Sequence, residues 1–578
     1  MNWIKDHKFV SVFVVSIALS FILYGNTIPG DFVYDDKFFS DRSELKTLDH
    51  LSQIWLEPYV GSEVAGAYRP VAIFSFSLNF IIFGSSPVSF HVINIILNGI
   101  AVFLLFLLIL KLFNNWKLAI FSALFYAVLP IHTEAVAFIK SRDEIIGTIF
   151  TLLAWLLFIK STSDENINWK GVFKSGLLFF IAVLSKEALI LSPIIFIIFF
   201  YFKRRPSLKK LFEISTIFVP IYLLYFMMRL KALGIYAFGN SGYDFIANPL
   251  FQSNVQERLW TPFKIVAIYL EKILIPIKLS ATYFYNQVTL VSSPAHSVQA
   301  LIGIIIFATL IFLVVHKKTR TTPYGVGALI FLVPYFMVSK FIFKAADIVA
   351  ERWMYFPTTG LSLIAGYLVY KVYDYKKVVG IILMASIVFV YGYMIMTRNR
   401  VWLSSESLFG SMVKDAPNSV QGYKMMYFLY MNHRPPEEVA QFIEKAHKIA
   451  PQDPAILEEM GVLQFKLGNL NLAEKYFRDA YASDPRQSYM SNLIAFYRLT
   501  MVDDEKEGRY DEVIKKLSRL RILEPNNWEI YYLFGQTYVL KNDYSKAKYY
   551  YNRALMLNPS NYDIRYRIKM LDNTAVFE

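Results

Sequence analysis

Two adjacent carboxylates, Asp35 and Asp36, close the stretch Asp31-Phe32-Val33-Tyr34-Asp35-Asp36, which follows directly on a strongly apolar segment, Phe9 to Pro29. A run of about 20 apolar residues is long enough to cross a bilayer. Charged groups at the mouth of such a helix are costly unless water, a cation or a substrate proton meets them. One reading makes the pair solvated loop acids. The other makes one of them a catalytic carboxylate at the membrane surface, taking the proton of an attacking hydroxyl in the transition state. Its neighbour would raise its pKa, or would help hold a divalent cation, Mg or Mn, through oxygen ligands. The stretch leaves open which of the two is the base.

Short segments between later apolar runs carry Arg69, Glu134, Arg142, Asp143, Lys186, Glu187, Glu351 and Arg352. Cations among them suit a phosphate, the arginines through a bidentate fork. Together these groups fit transfer from a lipid phosphate to a hydroxyl. A phosphate is already a good leaving group, so the reaction needs a base more than an acid. Tyr34, Tyr68 and Tyr355 are candidates to line a sugar pocket. For His91 and His132, both at helix ends, a hydrogen-bonded structural role competes with donor binding. His132 and Glu134 lack a metal-ligand spacing, and no structural zinc is expected.

The elements that must position these residues follow from hydropathy. The chain has 578 residues, 55% of them hydrophobic and only 18% charged, too few charges for a soluble protein of this size. Apolar runs recur to about residue 397 and then stop, which puts a domain boundary near Arg398-Asn399-Arg400. About eleven spans are expected, near 9–29, 89–110, 117–133, 143–160, 171–185, 187–202, 210–228, 298–315, 322–339, 353–372 and 378–397. Lys203-Arg204-Arg205, His316-Lys317-Lys318 and Lys371 to Lys377 mark the inner face. The loops 30–88, 134–142, 229–297 and 340–352, with the short Ser185-Lys186-Glu187 turn, then face outside and gather the residues named above. Segments 259–276 and 71–83 read as interfacial helices. Lys5 and Lys8 precede the first run as in an uncleaved anchor. The net charge of +14 comes largely from cations in short loops and does not point to nucleic acid. Cysteine is absent, which excludes disulfides and thiolate metal sites.

Beyond residue 400 prolines recur at 417, 451, 485, 525 and 559, at intervals of 34, 34, 40 and 34. A 34-residue period with Gly461, Gly468, Ala473, Phe477 and Ala480 in one unit, and Gly535, Tyr538, Ala547, Tyr551 and Ala554 in another, is that of tetratricopeptide repeats. About four units are expected, with six extra residues near 501–507 and a terminal helix after Asn561. Such arrays bind peptides or proteins on their concave face.

The chain resembles the transmembrane-and-tetratricopeptide-repeat O-mannosyltransferases, which have the GT-C glycosyltransferase fold. The matching stretches are Asp31 to Asp36; Tyr68-Arg69-Pro70; Phe90-His91-Val92-Ile93-Asn94; Pro130 to Ala137; Arg142-Asp143; Ser185-Lys186-Glu187; Asn248-Pro249; Glu351 to Pro357; and Arg398 to Trp402. The chain departs at Asn98, where the family often has a histidine, and in its short array. The resemblance implies an all-α protein: a polytopic GT-C helix bundle over 1–400, with loop 30–88 catalytic, then a tetratricopeptide α-solenoid over 401–578. It implies a polyprenyl-phosphate-linked sugar as donor, a protein Ser or Thr hydroxyl as acceptor, and the catalytic acid in the first outer loop, at Asp35 or Asp36. Arg69, His91, His132, Glu134, Arg142, Asp143, Lys186, Glu187, Glu351, Arg352 and Tyr355 are then the donor-binding candidates. The absence of cysteine and the compact size suit a bacterial relative, with active site and repeats in the periplasm. Two other readings are a transferase acting on a glycolipid or surface polysaccharide, and a non-catalytic membrane scaffold displaying the array.

Overall fold

The computed structural model describes residues 2–60, 66–163, 166–238, 245–341 and 347–574. Parts of the expected outer loops 30–88, 229–297 and 340–352 lie outside these ranges, and the Lys5 side chain is not described. Among the described residues all regular structure is helical. Two compact units divide at Leu429/Tyr430. The boundary expected at 400/401 therefore falls inside the first unit.

Six helices of the first unit are long and apolar enough to cross a membrane: Lys8–Thr27, Pro87–Phe113, Ile139–Ser161, Leu208–Ala237, Val298–Val315 and Lys377–Trp402. A seventh is present if Trp116–Ala127 and Pro130–Ala137, bent by 54° at their junction, count as one span. The chain is thus a multi-pass membrane protein, with fewer membrane-length helices than the eleven expected. For three of the others the reason is length, and for Thr358–Tyr375, with 18 residues, it is polarity, since Lys371 and Asp374 lie within it. Helices do form at the other expected positions, but Trp169–Ser185, Ser192–Arg204 and Pro323–Val338 have 17, 13 and 16 residues. At about 1.5 Å per residue they fall short of a hydrocarbon core about 30 Å thick. An apolar helix buried among other helices reads in sequence like one buried in lipid. Val255–Leu274 and Pro70–Phe83, expected as interfacial, are not among the helices long and apolar enough to cross, the first because of its charges and the second because of its 14 residues.

Small residues bring helices close. Gly327 in Pro323–Val338 faces Gly360 in Thr358–Tyr375, and a Cβ on Gly360 would overlap the Gly327 carbonyl oxygen. Backbone cannot step aside as a flexible side chain does. Gly360→Ala should therefore cost about 1–3 kcal/mol through overpacking. The check is a thermal midpoint that falls by several degrees. Gly410→Ala is the control: it sits in an open helical position with nothing within 4 Å and should be neutral or mildly stabilising.

In the second unit paired helices follow the predicted period: Pro454–Lys466 with Leu470–Ser483, Gln487–Lys506 with Tyr510–Leu523, and Trp528–Leu540 with Tyr544–Leu557. Gly461 lies against the Phe477 ring and Gly535 against the Tyr551 ring, so the recurring small and aromatic residues are the inter-helix contact. The six extra residues of the 40-residue interval make no loop. They extend Gln487–Lys506 to 20 residues where its counterparts have 13.

Candidate active site

The acidic stretch turns sharply after the first helix. The Asp31 N–H donates to the Leu403 carbonyl at 2.9 Å. Val33 is extended, and a single 3-10 turn covers Tyr34–Asp36. Tyr34 itself sits at φ +51°, a left-handed conformation rare for an aromatic residue. The turn sends the two carboxylates different ways. Asp36 is buried, 1% exposed. Its Oδ2 accepts the Val33 N–H at 3.1 Å and its Oδ1 the Lys140 N–H at 2.7 Å. It clasps the turn to a segment 104 residues away. Burial pushes its pKa up to about 8, against the two N–H bonds that favour the carboxylate. Asp35 keeps 21% of its side chain exposed and pairs through Oδ2 with Lys140 Nζ. Among the described residues its Oδ1 accepts no hydrogen bond.

Asp35 opens on a cavity of about 1470 Å³. The polar part of its wall holds Asp35, Arg69, Lys140, Asp143, Lys186, Glu187, Arg229, Asp347 and Arg352. The rest is largely apolar and aromatic, including Ile190 in a turn and, from four helices, Ile194, Phe226, Phe307, Ile311 and Leu332. Nearly every cation at the polar end is already paired. Arg69 forks onto Glu187 at 2.7 and 2.5 Å, reaches Asp143 at 2.6 Å and lies over the Tyr59 ring. Lys186 meets Glu144 at 2.5 Å and Asp143 at 3.3 Å. Arg352 pairs with Asp347 at 2.6 Å and with Glu134, which also accepts the Arg352 backbone N–H at 2.9 Å. Burial alone would raise the Glu187 carboxyl, but Arg69 holds it far below the usual carboxylate range.

Arg229 differs. Its Nε and Nη2 donate to the carbonyls of Ala237 at 2.9 Å and Gly66 at 2.6 Å, and its Nη1 to the Tyr225 hydroxyl at 3.3 Å. Among the described residues no carboxylate pairs with it. A guanidinium has five N–H groups, so two remain available beside the cavity.

Of the residues singled out in the sequence, Asp35, Arg69, Asp143, Lys186, Glu187 and Arg352 line this cavity. The others do not, and their contacts say what they hold instead. Arg142 is fully buried between the Phe76 and Phe90 rings. It donates to Asn94 Oδ1 at 2.6 Å, Asn79 Oδ1 at 2.9 Å and the carbonyls of Ser75 and Phe90, pinning the helix start that carries Asp143. His132 Nε2 meets Thr358 Oγ1 at 2.7 Å. The Tyr355 hydroxyl donates to Asn98 Oδ1 at 2.7 Å. His91 is buried in Pro87–Phe113. Glu351 accepts from the Ser280 N–H at 2.7 Å and the Tyr283 hydroxyl at 2.6 Å, and burial pushes it up to about 7. Glu134 is the buried clamp on Arg352.

Lys140, Arg229, Asp347 and Trp353 line the cavity without having been singled out. Lys140 stands two residues before Arg142, and Asp347 and Trp353 flank Glu351-Arg352. Arg229 ends an apolar run, where a basic residue reads as a topology marker. Among the described residues no three His, Asp or Glu side chains are grouped to hold a metal ion.

Residues 67–230, from just before Arg69 to Arg229, match the family model described as dolichyl-phosphate-mannose-protein mannosyltransferase. Residues 455–487 and 528–561 match tetratricopeptide repeat models. The chain is 23% identical to the protein O-mannosyl-transferase TMTC3 of Homo sapiens, over 95% of this chain and 64% of the relative. It is 25% identical to the protein O-mannosyl-transferase F38B6.6 of Caenorhabditis elegans, over 71% and 58%. To TMTC2 of Homo sapiens it is 34% identical over 30% and 22%. It thus spans less than two thirds of the length of these relatives. Among solved structures, the likeness to a chain of the APC/C hetero-tetramer Cut9–Hcn1 has a TM-score of 0.19 at 12% identity, covering 93% of this chain and 96% of that one, too slight to bear on the fold. With a mannosyltransferase-type stretch in its membrane half and tetratricopeptide repeats after it, the chain is similar to the transmembrane-and-tetratricopeptide-repeat O-mannosyltransferases.

Proposed function

We propose that this chain moves a hexose, mannose by analogy with its relatives, from a polyprenyl-phosphate carrier to a Ser or Thr hydroxyl of a protein, with Asp35 as base. One observation carries the reading. A carboxylate with a free oxygen stands at the polar end of a cavity whose remaining wall is apolar. A lipid-linked sugar phosphate has the same division: a tail for the apolar wall, a phosphate and a sugar for the polar one.

In a single displacement the acceptor oxygen attacks the anomeric carbon from the face opposite the phosphate. The C–O bond to the acceptor forms as that to the phosphate breaks, so the configuration inverts. The acceptor proton passes to Asp35 Oδ1, while Lys140 holds Oδ2 and fixes the carboxylate plane. The electron pair leaves on the phosphate. Arg229 is the group best able to meet that charge, because Arg69, Lys186 and Arg352 each carry two carboxylate partners. Those carboxylates outnumber the three cations they hold, so the phosphate's charge falls to the guanidinium that has no carboxylate partner among the described residues. With carboxylates already answered by side-chain cations, transfer should not need Mg or Mn. The array would hold the acceptor protein. For a bacterial chain the reaction would run at the periplasmic face.

Purified protein in lipid nanodiscs, given radiolabelled polyprenyl-phosphate mannose and a Ser/Thr-containing peptide, tests this. Label released from the peptide by β-elimination, unaffected by EDTA, is the expected result. Label only in glycolipid would move the acceptor to another class. No label in any acceptor would end the enzyme reading.

A further inference from the structure

We propose that the helices Ser405–Asp415 and Val420–Tyr430 are a working part of the catalytic loop, and that Tyr34 is the positioning residue through which they set the Asp35 carboxylate. The inference rests on the reading of Asp35 as the base. Tyr34 holds its left-handed backbone at φ +51°, and a bulky side chain stays there only when its surroundings over-determine it. Those surroundings come from the two helices. The Gln421 side-chain amide donates to the Tyr34 hydroxyl at 3.2 Å. The Phe409 ring meets the Tyr34 ring edge-on at 6.1 Å, and Phe138 stacks on its other side at 6.5 Å. Gln421 and Phe409 are 8% and 7% exposed. Phe409 is packed with Leu408, Met412 and Trp402 in one apolar cluster that also takes in Val33 and Phe138.

Backbone bonds fasten the same segments. The Asp31–Leu403 bond joins the acidic stretch to the chain just before these helices, and two further bonds, Asn286 N–H to Asn418 O at 3.1 Å and Val420 N–H to Tyr285 O at 2.9 Å, hold the start of the second helix against residues 285–286. Three consecutive side chains thus take three directions. Tyr34 goes to the helices of 405–430, Asp35 to the cavity, and Asp36 to the Lys140 backbone. If Tyr34 relaxed to a negative φ, the peptide unit that carries Asp35 would turn and Oδ1 would lose its aim. A helix that served only to hold clients would need no contact with this loop.

The test uses full-length Gln421→Leu and Tyr34→Phe, with polyprenyl-phosphate mannose as donor and a short Ser/Thr peptide that cannot reach along the array. Misplacing a catalytic group by about 1 Å costs up to about 100-fold in rate. We therefore expect kcat to fall about 10- to 100-fold in both variants. The KM for donor and the binding of sugar-free polyprenyl phosphate should not change. Gln421→Glu, which can accept from the Tyr34 hydroxyl, should recover most of the rate. Unchanged peptide transfer in both variants overturns the inference, and does so even if transfer to a folded protein acceptor falls. An inactive wild-type protein would instead sink the enzyme reading, and this inference with it.

Discussion

Asp35→Asn is expected to lower transfer by about 10³-fold while polyprenyl-phosphate binding stays within a factor of two or so of wild type, because a positioned general base contributes about 10² to 10⁴. The amide keeps the size of the carboxylate but cannot take the acceptor proton, and it gives up the charge that Lys140 holds. Phosphate binding is spared because no cation but Lys140 depends on Asp35. Asp36→Asn should behave differently. Both Asp36 oxygens accept backbone N–H groups, so an amide must aim its NH₂ at one of them. That variant should lose thermal stability along with activity, where Asp35→Asn loses activity alone. Equal losses in both, without a thermal shift in either, would remove Asp35 from the role of base. The wild-type pH profile carries a related signature. The folded-state pKa of Asp36, about 8, lies above the ordinary 3.8, so the folded form holds a proton that the unfolded form has released. The stability this gives is complete below about pH 4 and is lost as pH rises through about 8. Above pH 8 a second negative charge also appears beside Asp35. The thermal midpoint should decline from about pH 4 to about 8 and level off above it, while transfer falls as Asp36 ionises near pH 8; a midpoint flat from pH 5 to 9 would contradict the burial of a protonated Asp36.

That an acid pair stood at the end of the first helix was legible in the sequence; which acid faced the cavity was not. Adjacent residues in a turn can point anywhere, and the direction here depends on Tyr34 adopting a positive φ and on Lys140, 104 positions away, reaching back with its backbone and its ammonium. Arg69 and Arg142 show the same limit. Both are arginines beside apolar helices. Arg69 reaches the cavity because its partners Asp143 and Glu187 stand at its wall. Arg142 is drawn inward by Asn79 and Asn94, whose place on two other helices has no trace in the local sequence around Arg142. The repeats were legible because residue type and spacing recur together and neighbouring helices are neighbours in sequence. The number of spans was less legible: six or seven helices are long and apolar enough to cross where about eleven were expected, because hydropathy reports burial without saying whether protein or lipid does the burying. Ser192–Arg204 and Pro323–Val338 are apolar in part because they wall the cavity and pack on the bundle.

Arg229→Gln is expected to weaken binding of polyprenyl phosphate about 10- to 100-fold, since hydrogen bonds to a charged group contribute about 1.5–3 kcal/mol. The argument is one of charge already committed. For Arg69 to take a phosphate it must release Glu187 or Asp143, and for Lys186, Asp143 or Glu144. Each exchange leaves a carboxylate without its cation at a poorly solvated site, which offsets most of the gain. Arg229 is held instead by two carbonyls and a phenol, neutral partners that orient the guanidinium and leave its charge intact. It stands between the Gly66 carbonyl, on the strand of chain leading to Arg69, and the aromatic wall of Tyr222, Tyr225 and Phe226, where a headgroup would meet its lipid tail. Removing the charge should raise the donor KM and also lower kcat, because the phosphate gains negative charge as its bond to the sugar breaks and Arg229 meets more of that charge in the transition state. Arg229→Lys keeps the charge but not the planar fork, so it should fall between wild type and Arg229→Gln. If both variants bind polyprenyl phosphate as wild type does, the phosphate lies elsewhere on the polar wall, and Arg352, which lines the same cavity, becomes the group to replace next.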